Sequence, residues 1–235
     1  MTNSTLIKKL IPQATATIAL LAACTLATPK AEASPIVLDF EGIGNFQPIG
    51  NFYDTAPHDF DITFSGNALA IVDIDAGGGG NFGGEPSPST IAFFLDGPAA
   101  TMNVLNGFNT GFSFFYAAIN QPGFITVWDD LNGTGNILAS LQLPVTPFNG
   151  APDPTGVFSP FVPIGVAFNG IAKSVNFGGT VNQVGFDNIT LGSDTPIKDV
   201  PEPASTLGLL ALSAMGATSA LKRKKGQNTQ DNNLN

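Results

Sequence analysis

Between Ile36 and Leu191 the apolar positions fall into short runs, and polar or Gly-rich clusters interrupt them every few residues. The runs are IVLDF (36–40), FDITFS (60–65), ALAIVDI (68–74), IAFFL (91–95), TGFSFFYAAI (110–119), FITVW (124–128), ILASLQL (137–143), PIGVAF (163–168), KSVNFGG (173–179) and QVGFDNITL (183–191). They are rich in Phe, Val and Ile, and the intervening LNGTGN, GAPDPTG, NQPG and GSDTP are turn formers. Many short strands at this spacing predict a sandwich or a barrel. No uncapped helical period longer than two turns occurs between Ser34 and Asp199, as a helix-rich fold would require. The expected fold is all-β, a jelly-roll-like β-sandwich over residues 34–199. One interval stands apart: DIDAGGGGNFGGEPSPST (73–90) holds six Gly within a dozen residues. Gly has no side chain to pack and a high ordering cost, so this predicts a long surface loop leading into IAFFL.

Both ends of the chain break this pattern with longer uncharged stretches. At the front, Lys8 and Lys9 precede an apolar centre from Ile18 to Leu26, and Ala31 and Ala33 place small residues at the −3 and −1 positions of a signal-peptidase site. This predicts a signal peptide over residues 1–33, cut after Ala33 by signal peptidase. Leu21-Ala22-Ala23-Cys24 also matches a lipoprotein box, which gives Cys24 a competing role as a lipidated N-terminus. At the back, Leu207 to Leu221 carries no charge and is about 22 Å long if helical. Adding Ala204, Ser205 and Thr206 brings it to about 27 Å, the low edge of what spans a bilayer. Lys222, Arg223, Lys224 and Lys225 follow at once and predict a cytoplasmic stop. The expectation is a single hydrophobic transmembrane sorting helix that anchors the precursor transiently in the inner membrane, with its other side facing outward. Residues 226–235 are a polar tail.

Charge narrows the partners. Residues 34–199 contain no Cys and no Arg, and two lysines, Lys173 and Lys198, stand against 15 carboxylates, a net of −13. Such a surface repels nucleic acid and anionic lipid, and it lacks the Arg clamps of phosphate chemistry. The domain has no disulfide framework to support it and depends on its core.

Pro201-Glu202-Pro203, an apolar stretch and a basic cluster, in that order from Val200 to Lys225, resemble the PEP-CTERM sorting signal. The resemblance implies processing by an exosortase, a membrane-embedded transpeptidase-like cysteine enzyme of Gram-negative bacteria that make exopolysaccharide. The implied destination is secreted or at the cell surface. The middle of the chain, with LDFEGIGN, NFGGEPSPST and VGFDNITLGS, is similar to the Gly- and Phe-rich β domains found upstream of this signal. GFDNITL also resembles the last strand of jelly-roll carbohydrate-binding modules.

Candidate chemistry is sparse. Asp39 and Glu41 are two apart, and a first strand paired with the last would bring Asp187 to them, an oxygen-rich set suited to structural Ca²⁺. The bland alternative is a group of strand-end acids. Asp73, Asp75, Asn81 and Glu85 in the Gly-rich loop offer oxygens without a complete calcium loop. His58 is the sole His and reads as a surface residue, since a nucleophilic triad has no marked Ser elbow to join it. Asp129 and Asp130 are adjacent, so on a strand they point opposite ways and do not form a hydrolytic pair. Trp128 and Tyr53 are the candidate sugar-stacking rings, whereas the 19 Phe mostly read as core. The expected function is that of a non-enzymatic exported protein associated with exopolysaccharide in a biofilm matrix. The alternatives are a lectin-like carbohydrate-binding module and a polysaccharide hydrolase.

Overall fold

A computed structural model describes residues 34–118, 120–146, 156–158 and 160–198. The signal peptide with Ala31 and Ala33, Cys24, the sorting motif Pro201–Pro203, the apolar run, the basic cluster and the polar tail all lie outside the described residues. Among the described residues no helix is long and apolar enough to cross a membrane.

Among the described residues eleven strands form two antiparallel sheets. They are β1 (Ile36–Leu38), β2 (Ile62–Phe64), β3 (Ala68–Val72), β4 (Thr90–Phe94), β5 (Ala99–Phe108), β6 (Gly111–Ala118), β7 (Gly123–Trp128), β8 (Ile137–Leu143), β9 (Val162–Ala167), β10 (Ala172–Gly179) and β11 (Val184–Leu191). One sheet has the order β3-β4-β11-β6-β9 with β1 also on β11, and the other has the order β2-β5-β10-β7-β8. Apart from the β3–β4 and β7–β8 connections, successive strands change sheets, which is the jelly-roll habit expected of the sequence.

The two inner faces share one core. Period-2 alternation sends Met102 and Val104 of β5, Ile125 and Val127 of β7 and Val175 and Phe177 of β10 inward. They meet Phe112 and Phe114 of β6 and Phe186 and Ile189 of β11. Phe177 and Phe186 cross between the sheets edge to face, with ring centroids 5.0 Å apart, the arrangement that aromatic quadrupoles favour.

The outer face of the six-stranded sheet is apolar too, and the chain covers it. Ile71, Ile91, Phe93 and Ala117 pack there against Phe82 and Phe161. Phe82 belongs to the Gly-rich interval, so the expected surface loop is in part a flap. It is held by bridges from Asp73 to Gly80 and from Phe82 to Phe158, and Phe82 is only 2% exposed. Gly78 and Gly80 allow the flap to close: a Cβ on either would strike the Val72 carbonyl, at 2.0 and 3.0 Å.

β11 organises its sheet. Along one edge it pairs with β6, from Val184↔Ala118 to Leu191↔Phe112. Along the other it takes β1 at one end (Ile36↔Leu191 to Leu38↔Ile189) and β4 at the other (Phe186↔Ala92). The first strand does pair with the last. The ladder is irregular between Asp187 and Thr190, where Asn188 has φ +45°.

Candidate functional site

Two polar regions result from this topology. The first is the gap beside the β11 irregularity, where β1 ends and β4 begins. The chain leaves β1 after Leu38 through a positive φ at Phe40, so Asp39 and Glu41 sit in a turn rather than on a strand. Glu41 accepts from the Ser89 and Thr90 N–H groups at 2.8 and 2.7 Å on one oxygen, and from their hydroxyls at 3.1 and 3.2 Å on the other. Asp187, fully buried, accepts from Ser87 N–H at 2.9 Å, Ser87 Oγ at 2.8 Å and Asn188 N–H at 2.7 Å. Asp39 accepts from Glu41 N–H at 3.2 Å.

Asp39 and Asp187 each feel the charge of Glu41. Burial, and then the charge of Glu41, push Asp39 upward from the ordinary carboxylate value. Burial lifts Asp187 much further, with Glu41 again adding to the rise. Asp39, Glu41 and Asp187 are expected to share an ion, but the donors around them are N–H and O–H groups, which satisfy anions. Among the described residues no group of three or more His, Cys, Asp or Glu is arranged to hold a metal ion. The geometry is that of carboxylates fastening SPST (86–89) and the start of β4 to the β1 exit. Beyond their hydroxyls, nothing in the sequence marks Ser87, Ser89 and Thr90 as the fastened groups.

Tyr53 belongs to this region and corrects an expectation. It is 1% exposed, its hydroxyl accepts from Phe40 N–H at 2.6 Å, and its ring lies edge to face with Phe40 and Phe52. It offers no face to a sugar. Burial, and then the charge of Asp39, hold its phenol well above the usual value. His58 is half-buried in the same cluster, 4.8 Å from the Phe52 ring centroid and 5.2 Å from that of Tyr53.

The second region is the outer face of the five-stranded sheet. Registers place Phe124, Thr126 and Trp128 of β7 on it, opposite Gly178, Asn176 and Ser174 of β10. Thr101 and Asn103 of β5 and Ser140 and Gln142 of β8 extend the same face. Phe124 is 37% exposed, and its ring lies over Gly178, where a Cβ would come within 2.1 Å of it. Trp128 is half-buried, as a platform ring must be, but its Nε1 is buried without a protein partner, as is Asn176 Oδ1.

Residues 129–136 roof one end of this face. Asn132 and Asn103 exchange two hydrogen bonds, and Gly133 N–H donates to Ser174 Oγ at 2.9 Å. Asn132 and Gly133 both take positive φ, which the NG pair permits. Asp129 is tied to Asn136 through both the side-chain amide and N–H, and these bonds hold its carboxyl below the ordinary value. It stays charged as a loop staple, and Asp130 instead accepts from Leu131 N–H. The roof leaves Phe124, Ser140 and Gln142 exposed.

Comparisons with known proteins bear on the tail and on the fold. Residues 199–224 match the model of the PEP-CTERM protein-sorting motif. The chain thus carries this sorting signal, which marks an exported, surface-directed protein processed by an exosortase. No curated protein matches it. Among solved structures it is similar to a carbohydrate-binding module of Cellvibrio mixtus lichenase 5A in complex with cellotriose. The identity is 12%, the TM-score is 0.32, and the match covers 54% of this chain and 87% of that one. It is also similar to two cleaved adhesin domains of Lys-gingipain from Porphyromonas gingivalis. The first has 12% identity and a TM-score of 0.36 over 68% and 99% of the two chains. The second has 15% identity and a TM-score of 0.29 over 69% and 93%. Scores this low carry no argument about ligands.

Proposed function

We propose that the mature protein is a non-enzymatic component of the extracellular matrix of a Gram-negative bacterium, delivered through a membrane-anchored precursor, and that it holds neutral polysaccharide on the outer face of its five-stranded sheet. The observation that carries this reading is the row Phe124, Thr126 and Trp128 on one strand, flanked by Ser140, Gln142 and Asn176. Apolar ring faces pack against the C–H faces of pyranose sugars, and hydroxyl and amide side chains exchange hydrogen bonds with sugar hydroxyls. A domain with two lysines, no arginine and a net charge of −13 has little to attract an acidic polymer, so the favoured glycan is uncharged.

A hydrolase reading finds less support. The adjacent acids Asp129 and Asp130 are both used locally, and Asp187 is buried behind Ser87. The test is affinity electrophoresis of the purified domain against host exopolysaccharide and neutral β-glucans. Trp128→Ala should weaken binding about tenfold or more, the loss typical of a central aromatic contact. Equal migration of wild type and Trp128→Ala in every glycan gel would overturn the proposal.

A further inference from the structure

The folded domain does not end cleanly at β11. Six residues beyond Leu191, the chain returns to the sandwich and is tied to the irregularity in that strand. The Asn188 amide donates to the carbonyls of Ile197 and Lys198, at 2.9 and 2.7 Å. Ile197 N–H donates to Thr190 Oγ1 at 3.2 Å, and Ser113 Oγ donates to the Ser193 carbonyl at 2.9 Å. Asn188 is fully buried, and its Oδ1 has no partner among the described residues. Its side chain is therefore fixed by the two bonds that it donates to the linker. Its φ of +45° aims it there, and Asn is one of the few residues that adopt such a φ readily.

The tied segment directly precedes the sorting motif. Pro201 lies three residues after Lys198, a reach of roughly 10 Å at full extension. Without the tie at Ile197 and Lys198, the last anchored residue is Ser193, and the reach grows to roughly 27 Å. Enzymes that cut peptides commonly hold them extended, pairing their backbone groups as an added strand. Just upstream of the motif, the carbonyls of Ile197 and Lys198 and the N–H of Ile197 are already bonded to the sandwich.

We propose that Asn188 is a clamp that withholds the sorting motif from its processing enzyme, so that maturation waits on opening of the linker. The clamp depends on the PEP-CTERM signal for its meaning but not on any glycan. Asn188→Gly removes the amide while keeping the positive φ free of strain. Ile197→Pro removes the N–H that Thr190 accepts and leaves the sandwich untouched.

Trypsin gives the direct readout, because Lys173 and Lys198 are the only basic residues between 34 and 199. In the detergent-solubilised full chain, cutting after Lys198 should be slow relative to cutting at Lys222–Lys225. It should quicken about 5–30-fold in either variant, the change in opening equilibrium expected from losing one or two net hydrogen bonds. Lys173, within β10, should stay uncut and so report that the sandwich is intact. If Asn188→Gly exposes Lys173, the Ile197→Pro chain decides. In a host with an exosortase, both variants should convert from precursor to mature form faster than wild type in a pulse-chase. Equal trypsin rates at Lys198, or equal maturation rates, would overturn the clamp. Failure of wild type itself to mature would count against processing at the motif instead.

Discussion

At Asp187 a carboxyl is buried for the sake of a junction. Its partners are two N–H groups and one hydroxyl, enough to orient the carboxyl but not to replace water fully, which is why burial dominates its shift. The sign follows. A carboxyl raised above its ordinary 3.8 in the folded chain contributes fully below that value and loses its contribution as pH climbs through the folded value. Asp39 shifts the same way. We expect the melting temperature to fall as pH rises above about 4, with one such group contributing at most about 1.4 kcal/mol per pH unit. Asp187→Asn should flatten that slope, and thermal melts in which the variant keeps the wild-type slope would assign it to the overall negative charge. Glu41→Ala should cost about 2–3 kcal/mol in urea unfolding, because the N–H groups of Ser89 and Thr90 lose a charged acceptor. Chelator should leave the melting temperature unchanged if these donors have taken the place of an ion, whereas a fall would restore calcium to the junction. The pairing of β1 with β11 was legible because first and last strands pair in sandwiches. The role of SPST was not, since a hydroxyl donor toward an acid 48 residues distant leaves no local pattern.

At the scale of elements, the sequence pattern found the strands whose alternation is written in Phe, Val and Ile and missed β5, the longest. AATMNVLNGF places Ala100, Met102 and Val104 inward, but Asn, Gly and Ala are poor strand markers, and only the neighbours β2 and β10 make the segment extended. The Gly-rich interval misled in the opposite direction. Gly78 and Gly80 are there because the flap passes close to the Val72 carbonyl, and Phe82, which pins it, is a single ring in a polar stretch. Tyr53 was misplaced for a related reason, since a lone tyrosine in a loop gives no period from which burial can be read. One element-scale prediction follows from the contact between strands. Gly178→Ala should lift the Phe124 ring off β10 while leaving Trp128 in place. Glycan affinity should fall with Trp fluorescence unaltered, and unchanged affinity would remove Phe124 from the binding face.

For the whole molecule, the sorting signal and the sandwich make separable demands. Glu202→Ala should leave the domain folded but trap the chain as a membrane-bound precursor, seen by fractionation with an antibody to the sandwich. Maturation at the wild-type rate would show that Glu202 is not what the processing enzyme reads. The topology adds a constraint of timing. β11 is the strand on which β1, β4 and β6 all lean, and it is the last to be made. Ile36 has to wait for Leu191 before it has a partner. A chain threaded outward from its N-terminus therefore crosses the membrane with one sheet still lacking its centre. Until the final strand emerges, that sheet cannot close. Because that strand lies just ahead of the sorting motif, the sandwich becomes able to fold at the moment the tail arrives to be cut.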